Sequence, residues 1–177
     1  MKAMSRRKTF IALLVLAASV LVGGFLYYYF WYEPPADEDT FREEYGLVLK
    51  DYEGNDVSLT DYRREILIVY TWASWCPYCG AELEYLSKLK ERYGDELSIV
   101  AVNRAEPLID AKDFTDKLEG MNRLVLLLDT NDALYKQIDG YAMPETIFIN
   151  SKGDIIYHQR GPIKPEEVDQ KVAELMQ

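Results

Sequence analysis

An unbroken apolar run, Phe10 to Tyr32, dominates the start of the chain; it carries no charge and only Ser19 breaks it. A bilayer span needs about 20 such residues, so the pattern predicts a membrane-spanning helix over 10–32. A cleaved leader would have an apolar region of about 7–15 residues followed by a small-residue cleavage site. Ala17-Ala18-Ser19 offers such a site, yet the run continues through Val20-Leu21-Val22 and past Gly23-Gly24, which favours an uncleaved signal anchor. Tyr27, Tyr28, Tyr29, Trp31 and Tyr32 cluster at its far end, where amphipathic rings favour the membrane interface. Length and this aromatic end disfavour a buried core helix. The pattern then changes: Glu33 to Gly46 is acidic, contains Pro34-Pro35 and reads as an extended, solvated linker.

From residue 47 onward, short apolar runs alternate with helical stripes. Residues 47–50 and 57–59 read as strands around a turn at 51–56, where Gly54-Asn55 supplies the turn chemistry. Residues 65–72 form an apolar, β-rich run typical of a strand buried on both faces. A helix is predicted from Pro77 to Tyr93. Pro77 suits a first turn, Leu83, Leu86 and Leu89 with Tyr85 and Tyr93 make the stripe, and Gly94 stops it. Residues 97–103 read as a strand and 107–118 as a helix with Leu108, Ala111, Phe114 and Leu118 on one face. A strand at 123–128 and a short helix at 131–138 follow. Strands at 146–150 and 154–159 are joined by Ser151-Lys152-Gly153, a hairpin signal. An amphipathic helix, 165–176, closes the chain with Glu166 and Glu167 in its first turn. Alternating strands and helices imply an α/β fold: a mostly parallel sheet covered on both faces, ending in an antiparallel hairpin.

Composition narrows the function. With 177 residues, 49% apolar and 28% charged, the chain suits one globular domain with a real core. Thirty acidic against 20 basic residues argue against a nucleic-acid partner. The charge is uneven. Lys2, Arg6, Arg7 and Lys8 all precede the first acid, Glu33, and the remainder sets 16 basic against 30 acidic residues, a net of -14. Positive flanks stay inside, so the N-terminus is expected in the cytoplasm and everything after Glu33 outside it. That side of a bacterial membrane permits disulfide chemistry. Four segments result: a basic cytoplasmic segment 1–9, an anchor 10–32, a linker 33–46 and a folded domain 47–177. The acidic face of that domain reads as solvated, and it could steer a basic partner.

Two cysteines make neither a disulfide framework nor a four-thiolate zinc site. Trp75-Cys76-Pro77-Tyr78-Cys79 follows a buried strand and opens the predicted helix. There the backbone N–H groups and the helix dipole favour a thiolate on Cys76. Cys79, one turn on and expected to be more buried, can attack a mixed disulfide and release the substrate reduced. A zinc half-site needs two more ligands and His158 is the only histidine; a structural disulfide closing so small a loop adds little. The redox reading is favoured, and no metal or cofactor is expected.

Trp72-Ala-Ser-Trp75-Cys76-Pro77-Tyr78-Cys79 resembles the active site of the thioredoxin superfamily. Met143-Pro144-Glu-Thr146-Ile-Phe-Ile-Asn150 is similar to its second signature, in which a cis-proline faces the Cys pair. The hairpin before the first central strand and the strand–helix unit over 97–118 resemble the TlpA/ResA-like branch, membrane-anchored thiol–disulfide oxidoreductases outside the cytoplasm. The resemblance covers about residues 45–177 and implies a thioredoxin-like fold, a central mixed sheet flanked by helices. It implies Cys76 as nucleophile, Cys79 as resolving thiol and Pro144 as the cis-proline. The backbone of Met143 would then pair with an extended substrate. Glu82, i+3 from Cys79, matches a Glu that lies by the Cys pair in the ResA-like group and could move the Cys79 proton. Typical thioredoxins carry a buried Asp six residues before the first Cys; here Tyr70 occupies that position. Trp72 reads as core, Trp75 as a partly exposed substrate platform and His158 as a plain strand residue.

The implied function is reduction of disulfides in exported proteins, apocytochrome c being the client the family suggests. A membrane thiol donor would supply the electrons. Pro77-Tyr78 departs from the acidic-residue–Pro pair of close ResA-like proteins and is similar to glutaredoxins. The dipeptide adjusts reduction potential, so a thiol oxidase or disulfide isomerase stays open. A peroxidase ranks low, because Ala73 stands where Thr usually precedes the peroxidatic Cys. A membrane-tethered peptide-binding module without redox chemistry is the non-enzymatic alternative.

Overall fold

The computed structural model describes residues 6–31 and 47–176. The linker expected over 33–46 and residues 1–5 of the basic segment lie outside the described residues. The chain divides into two units, one holding the first helix and one holding everything from residue 47. The first unit contains α1, Arg6–Trp31, whose described side chains are exposed. Among the described residues no helix is long and apolar enough to cross a membrane. Of the segment expected to span, residues 10–31 are helical.

The second unit is built on a seven-stranded sheet. Its elements are β1 Val48–Asp51, β2 Asp56–Ser58, β3 Ile66–Trp72, α2 Cys79–Tyr93, β4 Leu97–Arg104 and α3 Leu108–Thr115, followed by β5 Val125–Asp129, α4 Ala133–Gln137, β6 Glu145–Asn150, β7 Ile155–Arg160 and α5 Pro165–Leu175. The strand order is β2-β1-β5-β4-β3-β6-β7. Only β3/β4 and β4/β5 pair in parallel; β1/β2, β1/β5, β3/β6 and β6/β7 are antiparallel. The sheet is therefore mixed, not mostly parallel. An apolar run gives the same signal in either direction, so periodicity could not reveal the reversal at β6.

All seven residues of β3 are buried, and the strand period of two sorts them. Ile66, Ile68, Tyr70 and Trp72 join Leu83, Leu86 and Leu89 of α2 in one core cluster. Leu67 and Val69 join Leu49, Val100, Val102 and Leu134 in the other. Each such aliphatic side chain contributes about 1.5–3 kcal/mol by leaving water. This double cover makes β3 a rigid post, and the loop that leaves its end carries the cysteines.

Several boundaries differ from expectation by one to three residues, and two helix ends bear on the site. The second helix opens at Cys79, and Pro77-Tyr78 lie in a turn before it. The third ends at Thr115 rather than 118, and Leu108 is exposed; Ala111 and Thr115 are its buried positions. Phe114 stacks on Trp72 at 5.4 Å between ring centroids, fixing α3 against the end of β3.

Candidate active site

Beyond Trp72 the chain turns at once. The Cys76 amide donates to the Ala73 carbonyl at 3.1 Å, and the Cys79 amide donates to the Cys76 carbonyl at 3.4 Å. Cys76 therefore sits in the turn ahead of α2, while Cys79 is the helix's first residue. The helix opens two residues later than expected, and the disulfide holds the Cys76 sulfur against its first residue. The two are joined as a disulfide. Both are buried, Cys76 at 4% exposure and Cys79 at 0%. Around them Trp75 and Tyr78 project to solvent, while Trp72 lies in the core.

The facing wall comes from β6. Thr71 on β3 pairs with Glu145 on β6, so Pro144 stands level with the end of β3. The Met143–Pro144 peptide is cis. Met143 packs against the core cluster that contains both cysteines. Cys76, Cys79, Met143 and Pro144 are thus brought to one end of the sheet, with Trp75 exposed beside them.

Glu82 joins them from the first turn of α2. It is 8% exposed, the one acid on a buried helix face made mainly of Cys79, Leu83, Leu86 and Leu89. The Tyr70 hydroxyl donates to its Oε2 at 2.9 Å, and the Ile163 amide donates to its Oε1 at 3.1 Å. Burial raises its carboxyl above the usual value of 4.5, and these two donors partly oppose the rise. Burial also pushes the Tyr70 phenol far above its usual range, with the adjacent Glu82 charge adding to it. Tyr70 stays a neutral donor, so a protonatable carboxyl is held near Cys79 by a partner that does not compete for the proton.

Sequence reasoning missed two further acids. Glu106, just before α3, accepts from the Ser74 amide at 2.7 Å, the Ser74 hydroxyl at 2.5 Å and the Asn103 side-chain amide at 2.7 Å. It clamps the loop that leads into Cys76. Glu145, next to Pro144, is fully buried and lies 2.6 Å from His158 Nε2. His158 lies on β7, and its ring joins this buried carboxylate in a polar cluster. The available signal for Glu145 was an acid between Pro144 and the apolar run that starts at Thr146; for Glu106 there was none, since its partner Ser74 lies 32 positions away.

The Redoxin family matches residues 36–175. The thiol-disulfide oxidoreductase ResA of Geobacillus thermodenitrificans is 28% identical over 125 residues, covering 70% of this chain and 71% of that protein. The thiol:disulfide interchange protein DsbE of Vibrio cholerae is 30% identical over 114 residues, 64% of this chain and 60% of that one. Among solved structures, a putative thiol:disulfide interchange protein DsbE from Chlorobium tepidum superposes with a TM-score of 0.70 at 20% identity, covering 78% of this chain and 96% of that one, and supports the fold. StoA of Bacillus subtilis superposes with a TM-score of 0.58 at 26% identity, covering 71% and 95%. A family match over most of the chain, joined to a disulfide-forming Cys-x-x-Cys on a thioredoxin-like frame, makes this chain a thiol–disulfide oxidoreductase that belongs to the Redoxin family.

Proposed function

We propose that this enzyme is tethered to the membrane through residues 10–32, faces away from the cytoplasm and reduces disulfides in exported proteins. The tether is supported by an uncharged run behind four basic residues and by exposed apolar side chains along α1. Apocytochrome c is the client class that the ResA-like resemblance suggests.

One observation carries the reducing direction: Cys76 is buried among apolar groups with a buried carboxyl at Glu82 nearby. A strong oxidant stabilises its reduced form as a thiolate. Apolar burial and a neighbouring acid disfavour that extra negative charge, so this site favours giving up its electrons and closing the disulfide. In the cycle, Cys76 attacks the substrate disulfide and one substrate thiol leaves. Cys79 gives its proton to Glu82 and attacks the Cys76 sulfur, expelling the second substrate sulfur as a thiolate that takes the proton back from Glu82. Two electrons have then passed to the substrate, and the enzyme holds the Cys76–Cys79 disulfide seen in the structure. A membrane thiol donor restores the dithiol.

The reduction potential tests this. A value near about -120 mV, where strong oxidants lie, would overturn the reductase reading in favour of the oxidase that Pro77-Tyr78 permits. Cys79→Ser should trap clients as mixed disulfides on Cys76. Full biological function in Cys76→Ser would instead support a peptide-binding module.

A further inference from the structure

The segment from Tyr141 to Met143 forms the β6 side of the dithiol site, and its backbone is held from behind. The Oε1 atom of buried Glu145 accepts from both the Tyr141 and Ala142 amides, each at 2.8 Å. Its Oε2 lies 2.6 Å from His158 Nε2 on β7, and Arg160 Nε is 3.9 Å away. The Glu145 amide donates to Thr71 Oγ1 at 3.1 Å, tying the same residue to the end of β3. Tyr135 adds a hydroxyl donor to the Ala142 carbonyl at 2.7 Å. Meanwhile the Tyr141 ring is 76% exposed, with the Arg160 guanidinium 5.1 Å from its centroid. The segment thus has a fixed backbone and an open outer face.

We infer that His158 and Glu145 are positioning residues that hold the Tyr141–Met143 segment in the form a substrate peptide docks against. The inference rests on the thiol–disulfide exchange reading of the dithiol. A buried carboxylate needs donors on both oxygens, because desolvating it unpaired is costly. With Oε2 fixed by His158, Oε1 stays aimed at the two amides. Without that donor the carboxylate turns toward other partners and both amides are released. The hydrogen bonds of Glu145 and His158 run to the 141–142 backbone, to β3 and to each other, not to Cys76 or Cys79. Peptide docking depends on them, whereas chemistry at sulfur does not.

The test uses the full chain in detergent with two oxidised substrates, a disulfide-bonded Cys-x-x-Cys-His peptide and dithionitrobenzoate, which needs no peptide docking. His158→Phe removes the donor, and His158→Gln keeps an N–H at similar reach. The expected result is a KM for the peptide raised about tenfold in H158F and near wild type in H158Q. The rate with the small disulfide and the reduction potential stay at wild-type values in both. Amide hydrogen exchange at Tyr141 and Ala142, read on the oxidised protein, speeds up in H158F alone. A wild-type KM in H158F overturns the inference, and so do wild-type exchange and an equal loss on both substrates. Should H158F fail to fold, His158→Asn, whose amide falls short of Glu145, carries the same comparison. Failure of the wild type to reduce the peptide overturns the functional reading instead, and the exchange measurement still decides the inference.

Discussion

Glu82 concentrates the site's electrostatics in one side chain. Burial raises its carboxyl above 4.5, so the folded protein binds that proton more tightly than the unfolded chain does. The carboxyl therefore costs no stability below the unfolded value, and stability falls as pH rises from there through the folded titration. Glu82→Gln lacks this titration. In the oxidised protein, where the cysteines do not titrate, urea unfolding of the two forms from about pH 4 to about pH 8 should diverge, with E82Q gaining relative stability as pH rises. Parallel curves would mean that burial does not act on this carboxyl. In the reduced protein, the pH profile of thiol alkylation should shift in E82Q; an unchanged profile would leave Glu82 with a structural role alone. The offset from Cys79 made Glu82 legible as a candidate. Its partners were not, because Tyr70 stood out only as the residue replacing an Asp, and Ile163 lies 81 positions away.

The elements around the dithiol are short, so a few contacts fix where each begins. Gly80 follows Cys79 in α2, and a Cβ there would meet Leu118 Cδ2 and Phe114 Cζ at 3.5 Å, ordinary contact. Gly80→Ala should therefore fill space without strain and raise helix stability by up to about 1 kcal/mol, measured as a higher thermal midpoint of the oxidised protein. A lower midpoint would mean that the neighbouring α3 side chains cannot accept the methyl group. The preceding loop depends on Glu106 instead. Glu106→Ala strands the Ser74 amide and the Asn103 side chain and should destabilise by about 1–3 kcal/mol in denaturant titration. Strand and helix identities from 47 onward were legible because short apolar, β-rich runs alternate with helical stripes of period 3.6. The start of α2 was not. Proline at a first helical turn and proline in a turn before a helix look alike, and the helix's bond from the Glu82 amide to the Tyr78 carbonyl puts Pro77 before it.

The arrangement of the whole chain rests on its charge distribution. Four basic residues precede an uncharged run, and the rest carries a net of -14. An acidic domain is repelled by an anionic lipid surface, so electrostatic adsorption cannot hold it there, and the proposed tether rests on apolar insertion of residues 10–32 alone. The two mechanisms respond oppositely to salt, since about 1 M salt shortens the screening length to about 3 Å and leaves apolar burial intact. The chain should stay in the membrane pellet through high salt and alkaline carbonate, and deletion of residues 1–32 should release it. Both cysteines lie in the catalytic domain, so thiol labelling reports which side that domain faces. An impermeant reductant followed by an impermeant maleimide should label Cys76 in intact cells, and Cys76→Ser should lose most of that signal because Cys79 is the more buried of the pair. Labelling that appears only after lysis would put the domain on the cytoplasmic side. There a reducing thiol pool would keep the pair as a dithiol and remove the need for a transmembrane donor.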